Sequence, residues 1–240
     1  MTTEPPAMLH PAVLVLDVNE TLSDLEPMRK RFEEVGLPRH ALDAWFAATL
    51  RDGFALTAAG TYPAFRDVAS GALRALLASH GVEKADAVDQ VLAGFAELPA
   101  HPDVSPGLYR IHAAGIRLVT LTNGATAISD RMLDEAGVLP LLEHRLSVEV
   151  PKRWKPHPDA YRYAAEVCGV ESAAMALVAA HPWDVDGAQR AGLIGVWVDR
   201  RRTPYPIAFL PPDLRVPDLE ALADMLTSER WTRPNPDVSQ

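Results

Sequence analysis

A single cysteine, Cys168, stands in the 240 residues, so no intrachain disulfide can form. That usage fits a reducing compartment. No apolar run approaches the ~18 residues that a membrane-spanning helix requires. The opening MTTEPPAMLHP has no basic segment leading into a long apolar one, so it does not read as a secretory leader. These absences set the expectation of a cytoplasmic protein with no membrane partner. Positive charge is scarce as well: 23 Lys and Arg against 32 Asp and Glu, a formal net charge of −9. A general nucleic-acid binder needs a basic face, so no nucleic-acid partner is expected. The one basic run, DRRRTPY at 199–205, reads as a solvated loop. Neither a glycine-rich phosphate loop nor a G-x-S-x-G elbow occurs. Internal repeats and low-complexity stretches are absent too.

What is present is a set of short apolar runs that end in polar residues. They lie at 13–16, 117–121, 175–179 and 195–198, with weaker ones at 145–148 and 214–216. Unbroken apolar runs of this length predict strands buried on both faces. Helix-like stretches alternate with them, and four end at Gly115, Gly137, Gly169 and Gly192. Strands alternating with helices predict an α/β fold, a Rossmann-like doubly wound parallel sheet. The alternation breaks after the first strand. From residue 23 to 102 the apolar positions recur at three- and four-residue spacing, which predicts an all-helical insertion. The expected organisation is an α/β core at 10–22 and 103–227, a helical cap at 23–102 and a flexible tail at 228–240. The proline-rich stretch TPYPIAFLPPD reads as a loop.

Polar residues follow four of the strands. Asp17 ends the first, in VLVLDVNETL. Thr122 and Asn123 end the second, Lys155 follows the third, and Asp184 follows the fourth. In a parallel sheet these ends converge on one edge. A carboxylate nucleophile must be ionised, aimed and shielded from water. A nearby lysine keeps it ionised, and a hydroxyl with turn amides can hold an anionic substrate. Each residue has a plainer reading. Thr21 and Asp184 suit helix or turn capping, Tyr161 suits helix packing, and Trp183 suits the core.

The motifs LDVNETL, TLTNG, Lys155-Pro156 and Asp184 resemble the haloacid dehalogenase superfamily over about residues 14–222. Within it, TNG, WKPHPDAY and WDVDGA are similar to the type II (S)-2-haloacid dehalogenases. The resemblance implies that Asp17 displaces halide to form an ester, which water hydrolyses to a 2-hydroxy acid. It implies that Lys155 keeps Asp17 anionic and that Asp184 positions or activates the water. Val18, Asn19, Thr21, Thr122, Asn123 and Tyr161 would shape the substrate site, with a small carboxylate as the partner. It implies no cofactor, and a homodimer by analogy. Superfamily phosphatases carry a second Asp two residues after the nucleophile, to protonate the leaving group. Here that residue is Asn19, which cannot move a proton, and a departing halide needs none. The phosphatase metal pattern meets Ala180 where it has an Asp, which weakens the alternative of a Mg²⁺-dependent phosphatase. A non-catalytic binding relative is the second alternative.

Departures from the resemblance fall at Asn19, Ala179 and His181. His181 is a candidate base near the ester, a donor to halide or substrate, or a ligand of a loop carbonyl. An ungapped alignment sets Leu56 at the place of the halide-cradling cap arginine, with Arg51 and Arg66 nearby.

Overall fold

The structure, a computed structural model, describes residues 11–228. The expected tail therefore lies outside the described residues, apart from Ser228. Six strands form one parallel sheet in the order β3-β2-β1-β4-β5-β6. They are β1 (Val13–Leu16), β2 (Arg117–Thr122), β3 (Leu142–Ser147), β4 (Met175–Ala179), β5 (Ile194–Val198) and β6 (Leu214–Val216). Every apolar run singled out above is a strand, although β3 starts at Leu142 rather than Arg145. Val13 of β1 pairs with Arg117 of β2 on one side and with Met175 of β4 on the other. The direction of winding reverses at β1, which opens a crevice at its carboxyl end.

The sheet is buried on both faces. Val13 and Val15 point into one core, Leu14 and Leu16 into the other, as the two-residue period of a strand requires. The second core is closed by α5 (Val104–Ala113), α6 (Thr126–Glu135) and α9 (Leu219–Thr227). The first is closed by α7 (Pro158–Cys168) and α8 (Pro182–Arg190). Local chemistry sets the helix ends. Pro158 opens α7 where no N–H is needed, and the His157 ring accepts a hydrogen bond from the Asp159 N–H at 3.3 Å. Gly169 closes α7 at φ +66°, a left-handed conformation that a Cβ disfavours. Asp218 caps α9 by accepting from the Ala221 N–H at 2.7 Å.

Between β1 and α5 the chain builds α1 (Met28–Glu34), α2 (Ala41–Ala58), α3 (Phe65–Ser79) and α4 (Ala87–Gly94). These helices pack around Trp45, whose ring centroid lies 5.5 Å from Phe32 and 5.4 Å from Phe95. Their core is continuous with the first face of the sheet. The two crossings between insertion and sheet run side by side. Ser23 pairs with Ala100, the Asp24 N–H donates to the Pro99 carbonyl, and the His101 N–H donates to the Leu22 carbonyl.

Trp154, in the loop after β3, wedges the two parts together. It is fully buried, stacks on Phe65 of α3 at 5.6 Å, and donates its indole N–H to the Pro63 carbonyl at 3.0 Å. Its ring lies flat over Gly53 of α2, where an added Cβ would sit 2.3 Å from the nearest ring atom. Gly53→Ala must push the indole aside. It is expected to cost about 1–3 kcal/mol and to lower Tm by about 2–4 °C for each of those. A urea titration showing a loss below about 0.5 kcal/mol would contradict the wedge.

Candidate active site

Asp17 leaves the end of β1 with its N–H bonded to the Val178 carbonyl of β4 at 3.0 Å, and it is 4% exposed. Lys155 reaches it from the loop after β3. The Lys155 ammonium is fully buried and donates to Asp17 Oδ1 at 2.8 Å and to Asp184 Oδ2 at 2.7 Å. Asn123, at the end of β2, clasps the Lys155 backbone with both ends of its amide. Its Oδ1 accepts from the Lys155 N–H at 2.8 Å, and its Nδ2 donates to the Lys155 carbonyl at 3.2 Å. Asp184 lies in the first turn of α8. Its Oδ1 accepts from the Tyr161 hydroxyl at 2.6 Å. The close approach of α7 and α8 depends on Gly187, whose absent Cβ would lie 2.8 Å from that hydroxyl. Thr21 donates to Asp17 Oδ2 at 2.6 Å and accepts from the Ala180 N–H at 2.9 Å.

Asp17, Asn123, Lys155 and Asp184 thus meet at the strand ends, with Thr21 and Tyr161, which the resemblance placed here, bonded to the two carboxylates; several roles change. Asn123 spends its side chain on holding Lys155, which leaves only its backbone N–H for a substrate. Thr122 is buried, and its hydroxyl accepts from the Gly124 N–H at 3.0 Å. Val18 turns its side chain into the second core, and its carbonyl accepts from the Leu22 and Ser23 amides. It shapes the turn and presents no side chain to the site. Asn19 is half-buried and pairs through its backbone with Ser23. Asp184 does not cap α8, because the N-cap position belongs to His181. Trp183 is not core filler. It is half-buried and stacks on the His181 ring at 5.1 Å.

His181 bonds no loop carbonyl. Its Nε2 lies 2.8 Å from Glu20 Oε2, and its Nδ1 lies 3.4 Å from Asp17 Oδ2. Glu20 also pairs with Arg201, which reaches toward Asp43 of α2 at 3.8 Å. Sequence reasoning missed Glu20, although it stands inside the nucleophile motif. The backbone gives the signal: Glu20 holds φ +61°, a left-handed conformation costing a non-glycine residue about 1 kcal/mol. Its two ion pairs offset that strain. The basic run at 199–205 is not simply a solvated loop either. Arg200 makes a bidentate pair with Asp103 at 3.0 and 3.1 Å and donates to the Thr21 carbonyl at 2.8 Å.

Neither Arg51 nor Arg66 reaches this cluster; another cap arginine, Arg29 of α1, lines the same cavity as His181 and pairs with Asp43 at 2.9 Å. Leu56 is 38% exposed, away from the site. Arg51 and Arg66 pair with Asp52 and Asp89 on the surface. Among the α2 residues that face the cluster, Phe46 stacks on His181 at 6.2 Å. A cavity of about 540 Å³ opens on this side, lined by Glu20, His181, Phe46, Leu50, Trp197 and Arg201 among others. Asp17 is not part of its wall, whereas His181, 3.4 Å from Asp17, is.

Burial alone would raise the Asp17 carboxyl, but Lys155 and His181 outweigh it and hold Asp17 well below the usual carboxylate range. Asp184 moves the other way, raised by burial and by the Asp17 charge. Burial opposes the Lys155 charge, yet the two carboxylates raise its pKa. Burial likewise opposes the His181 charge, but Asp17 and Glu20 push its pKa up to about 9. His181 is therefore an imidazolium at neutral pH. Asp17, Asp184 and Glu20 face Lys155, His181 and Arg201, three anions against three cations.

The donor set does not fit a Mg²⁺ ion. Lys155 already occupies the point between Asp17 and Asp184, Asp17 Oδ2 faces Thr21 and His181, and Ala180 offers no side-chain oxygen.

A folded-state pKa of about 9, against about 6.5 unfolded, makes His181 stabilising below pH 6.5. That contribution is lost as pH rises from 6.5 through 9. Urea denaturation should show stability falling by on the order of 2–3 kcal/mol over this window. His181→Gln should flatten the profile there. An unchanged slope in the variant would assign the loss to another group.

A family model for haloacid dehalogenase-like hydrolase matches residues 12–192. The (S)-2-haloacid dehalogenase 1 of Pseudomonas sp. (strain CBS-3) is 27% identical over 215 residues, covering 88% of this chain and 95% of that protein. Haloacetate dehalogenase H-2 of Moraxella sp. (strain B) is 30% identical over 132 residues, 55% of this chain and 59% of its own length. Among solved structures, an L-2-haloacid dehalogenase superposes with a TM-score of 0.85 at 26% identity, covering 90% of this chain and 98% of that one. A dehalogenase described as an intermediate complex superposes at 0.84 with 26% identity, covering 91% and 98%. With the family model spanning three quarters of its length, this chain belongs to the haloacid dehalogenase-like hydrolases.

Proposed function

We propose that this chain hydrolyses the carbon–halogen bond of a short 2-haloalkanoic acid and releases the 2-hydroxy acid. The observation that carries the reading is Asp17. It is a buried carboxylate held anionic by a buried lysine, and Asn19 stands where a phosphate-ester enzyme of this superfamily needs its acid. The (S)-2-haloacid dehalogenases matched above, and the relative described as an intermediate complex, support it.

In the first step an Asp17 oxygen attacks the substrate carbon. A C–O bond forms as the C–X bond breaks, and the electron pair leaves with the halide. The Thr122 hydroxyl and the Asn123 N–H hold the substrate carboxylate. In the second step water adds to the ester carbonyl and the bond between that carbonyl and the alkoxy oxygen breaks. This returns Asp17 and frees the hydroxy acid. The net change is R–X plus H₂O to R–OH, H⁺ and X⁻.

Asp184 has both oxygens engaged, by Lys155 and Tyr161, so it positions the ammonium rather than taking a proton. His181 is the better proton carrier, though not in its resting form. Esterification removes the Asp17 charge 3.4 Å from Nδ1, and the imidazolium pKa falls toward its ordinary value. Its proton departs with the halide, and the neutral ring then accepts one from the attacking water. The helical insertion covers the site as a cap and limits bulk water. No step calls for a metal ion.

Halide release from (S)-2-chloropropionate should persist in EDTA and fall at least about 10³-fold in Asp17→Asn. A single turnover in ¹⁸O-water should place the label in the Asp17 carboxylate rather than in the product. Activity lost in EDTA and restored by Mg²⁺ would instead mark a metal-dependent phosphatase-type site.

A further inference from the structure

His181 is poorly fixed by hydrogen bonds. Only Nε2 has a short partner, Glu20 at 2.8 Å. Nδ1 is buried, 3.4 Å from Asp17, and without a hydrogen bond. One bond leaves the ring free to swing about the Glu20 contact, which would carry Nδ1 away from the nucleophile. Two aromatic rings lie against the imidazole. Phe46, from α2 of the cap, lies 30° from the imidazole plane with centroids 6.2 Å apart. Trp183, from α8 of the core, lies 24° from it at 5.1 Å. Trp183 is in turn held edge-on by Phe54 of α2, at 4.8 Å and 61°.

We infer that Phe46 and Trp183 are positioning residues for the reaction, an aromatic clamp that keeps the His181 ring aimed from Glu20 toward Asp17 and that is complete only while the cap is docked. Near-parallel rings limit tilt of the imidazole, and their π faces favour its cationic form over the neutral one. The charged groups around the ring come from four elements. Asp17 ends β1, Glu20 lies in the turn after it, Lys155 reaches in behind Asp17, and Arg201 and Asp43 stand beyond Glu20. Both α2 contributors lie where the cap meets the core. Phe46 also lines the cavity beside His181, whereas Leu56, aligned with the family's halide-holding arginine, does not. Here no charged group of the cap pairs with His181 directly; Asp43 acts only through Arg201. The cap supplies orientation to a charge that the core provides.

The kinetic part of this inference rests on the proposed dehalogenation; the positioning part does not. NMR titration of the His181 ring in the free protein needs no substrate. Trp183→Leu and Phe46→Leu should each lower its midpoint by about one unit, and Trp183→Phe should restore most of the shift. With (S)-2-chloropropionate, the Leu variants should keep the first-turnover burst of halide. They should lose about 10-fold or more in steady turnover per burst site, with Trp183→Phe again recovering it. Two folded Leu variants with an unmoved His181 midpoint and unchanged turnover per burst site would overturn the clamp. So would equal losses in the Leu and Phe variants with the His181 signals unchanged, since that pattern marks packing alone. A wild-type protein that releases no halide, yet shows the expected NMR shifts, would overturn the substrate reading and leave the clamp standing.

Discussion

One ammonium group holds the site together. Lys155 is fully buried, an arrangement that costs several kcal/mol per ion unless geometry and further hydrogen bonds compensate. It lies within 2.8 Å of two carboxylates from two different strand ends, so β1, the loop after β3, and α8 must all be placed before the charge is satisfied. Asn123 fixes the lysine backbone from β2, and Tyr161 fixes Asp184 from α7. Removing Lys155 itself would leave two buried carboxylates without their shared cation. The winding of the sheet brings them together because the order reverses at β1, which puts the ends of β2 and β4 on either side of Asp17. The two carboxylates answer the shared lysine differently. Asp17 also has Thr21 and His181 and is driven down, while Asp184 is raised by burial and by its charged neighbour. A nucleophile that stays ionised and a partner that stays anchored follow from this asymmetry.

A second layer of charge surrounds the first. Glu20 and Arg201 extend the cluster toward the cap, and His181 links the two layers. The total is neutral at rest. When Asp17 becomes an ester, one negative charge disappears and the remaining groups carry a net positive charge. In the proposed reaction that excess favours the departing halide and then relaxes by releasing a proton from His181. Neutrality at rest and imbalance in the intermediate come from the same six side chains.

Much of this was legible in the sequence. The strands were visible because two-sided burial demands unbroken apolar runs, and the insertion because its helices keep a strict three- and four-residue spacing. Asp17, Asn123, Lys155 and Asp184 stood out because strand ends in a parallel sheet converge, while Thr21 and Tyr161 came only from the family resemblance. What escaped notice depended on tertiary placement. Glu20 reads as an ordinary turn acid until its left-handed backbone aims it at His181. Arg200 and Arg201 look like a wet basic loop until β5 carries them to the Asp17 turn. Phe46 differs little in sequence from any apolar position of α2, and counting along the chain pointed to Leu56 instead. An ungapped count cannot tell which face of a helix meets the core. Trp183 looked like core because aromatic residues beside an apolar strand generally are, yet its partner is a charged ring.

The paired crossing between sheet and cap has a mechanical consequence. Residues 22–24 and 99–101 form a short two-stranded strap. Just below it, Arg200 grips Asp103 with one side of its guanidinium and the Thr21 carbonyl with another. Both ends of the strap are thus bolted to the same anchor on the core, and Thr21 belongs to that anchor through its bond to Asp17. A pull along the strap therefore reaches the Arg200–Asp103 pair before it reaches the Thr21 bond to Asp17. The joint works as a strain relief for that carboxylate, as a clamp does where a cable enters a plug.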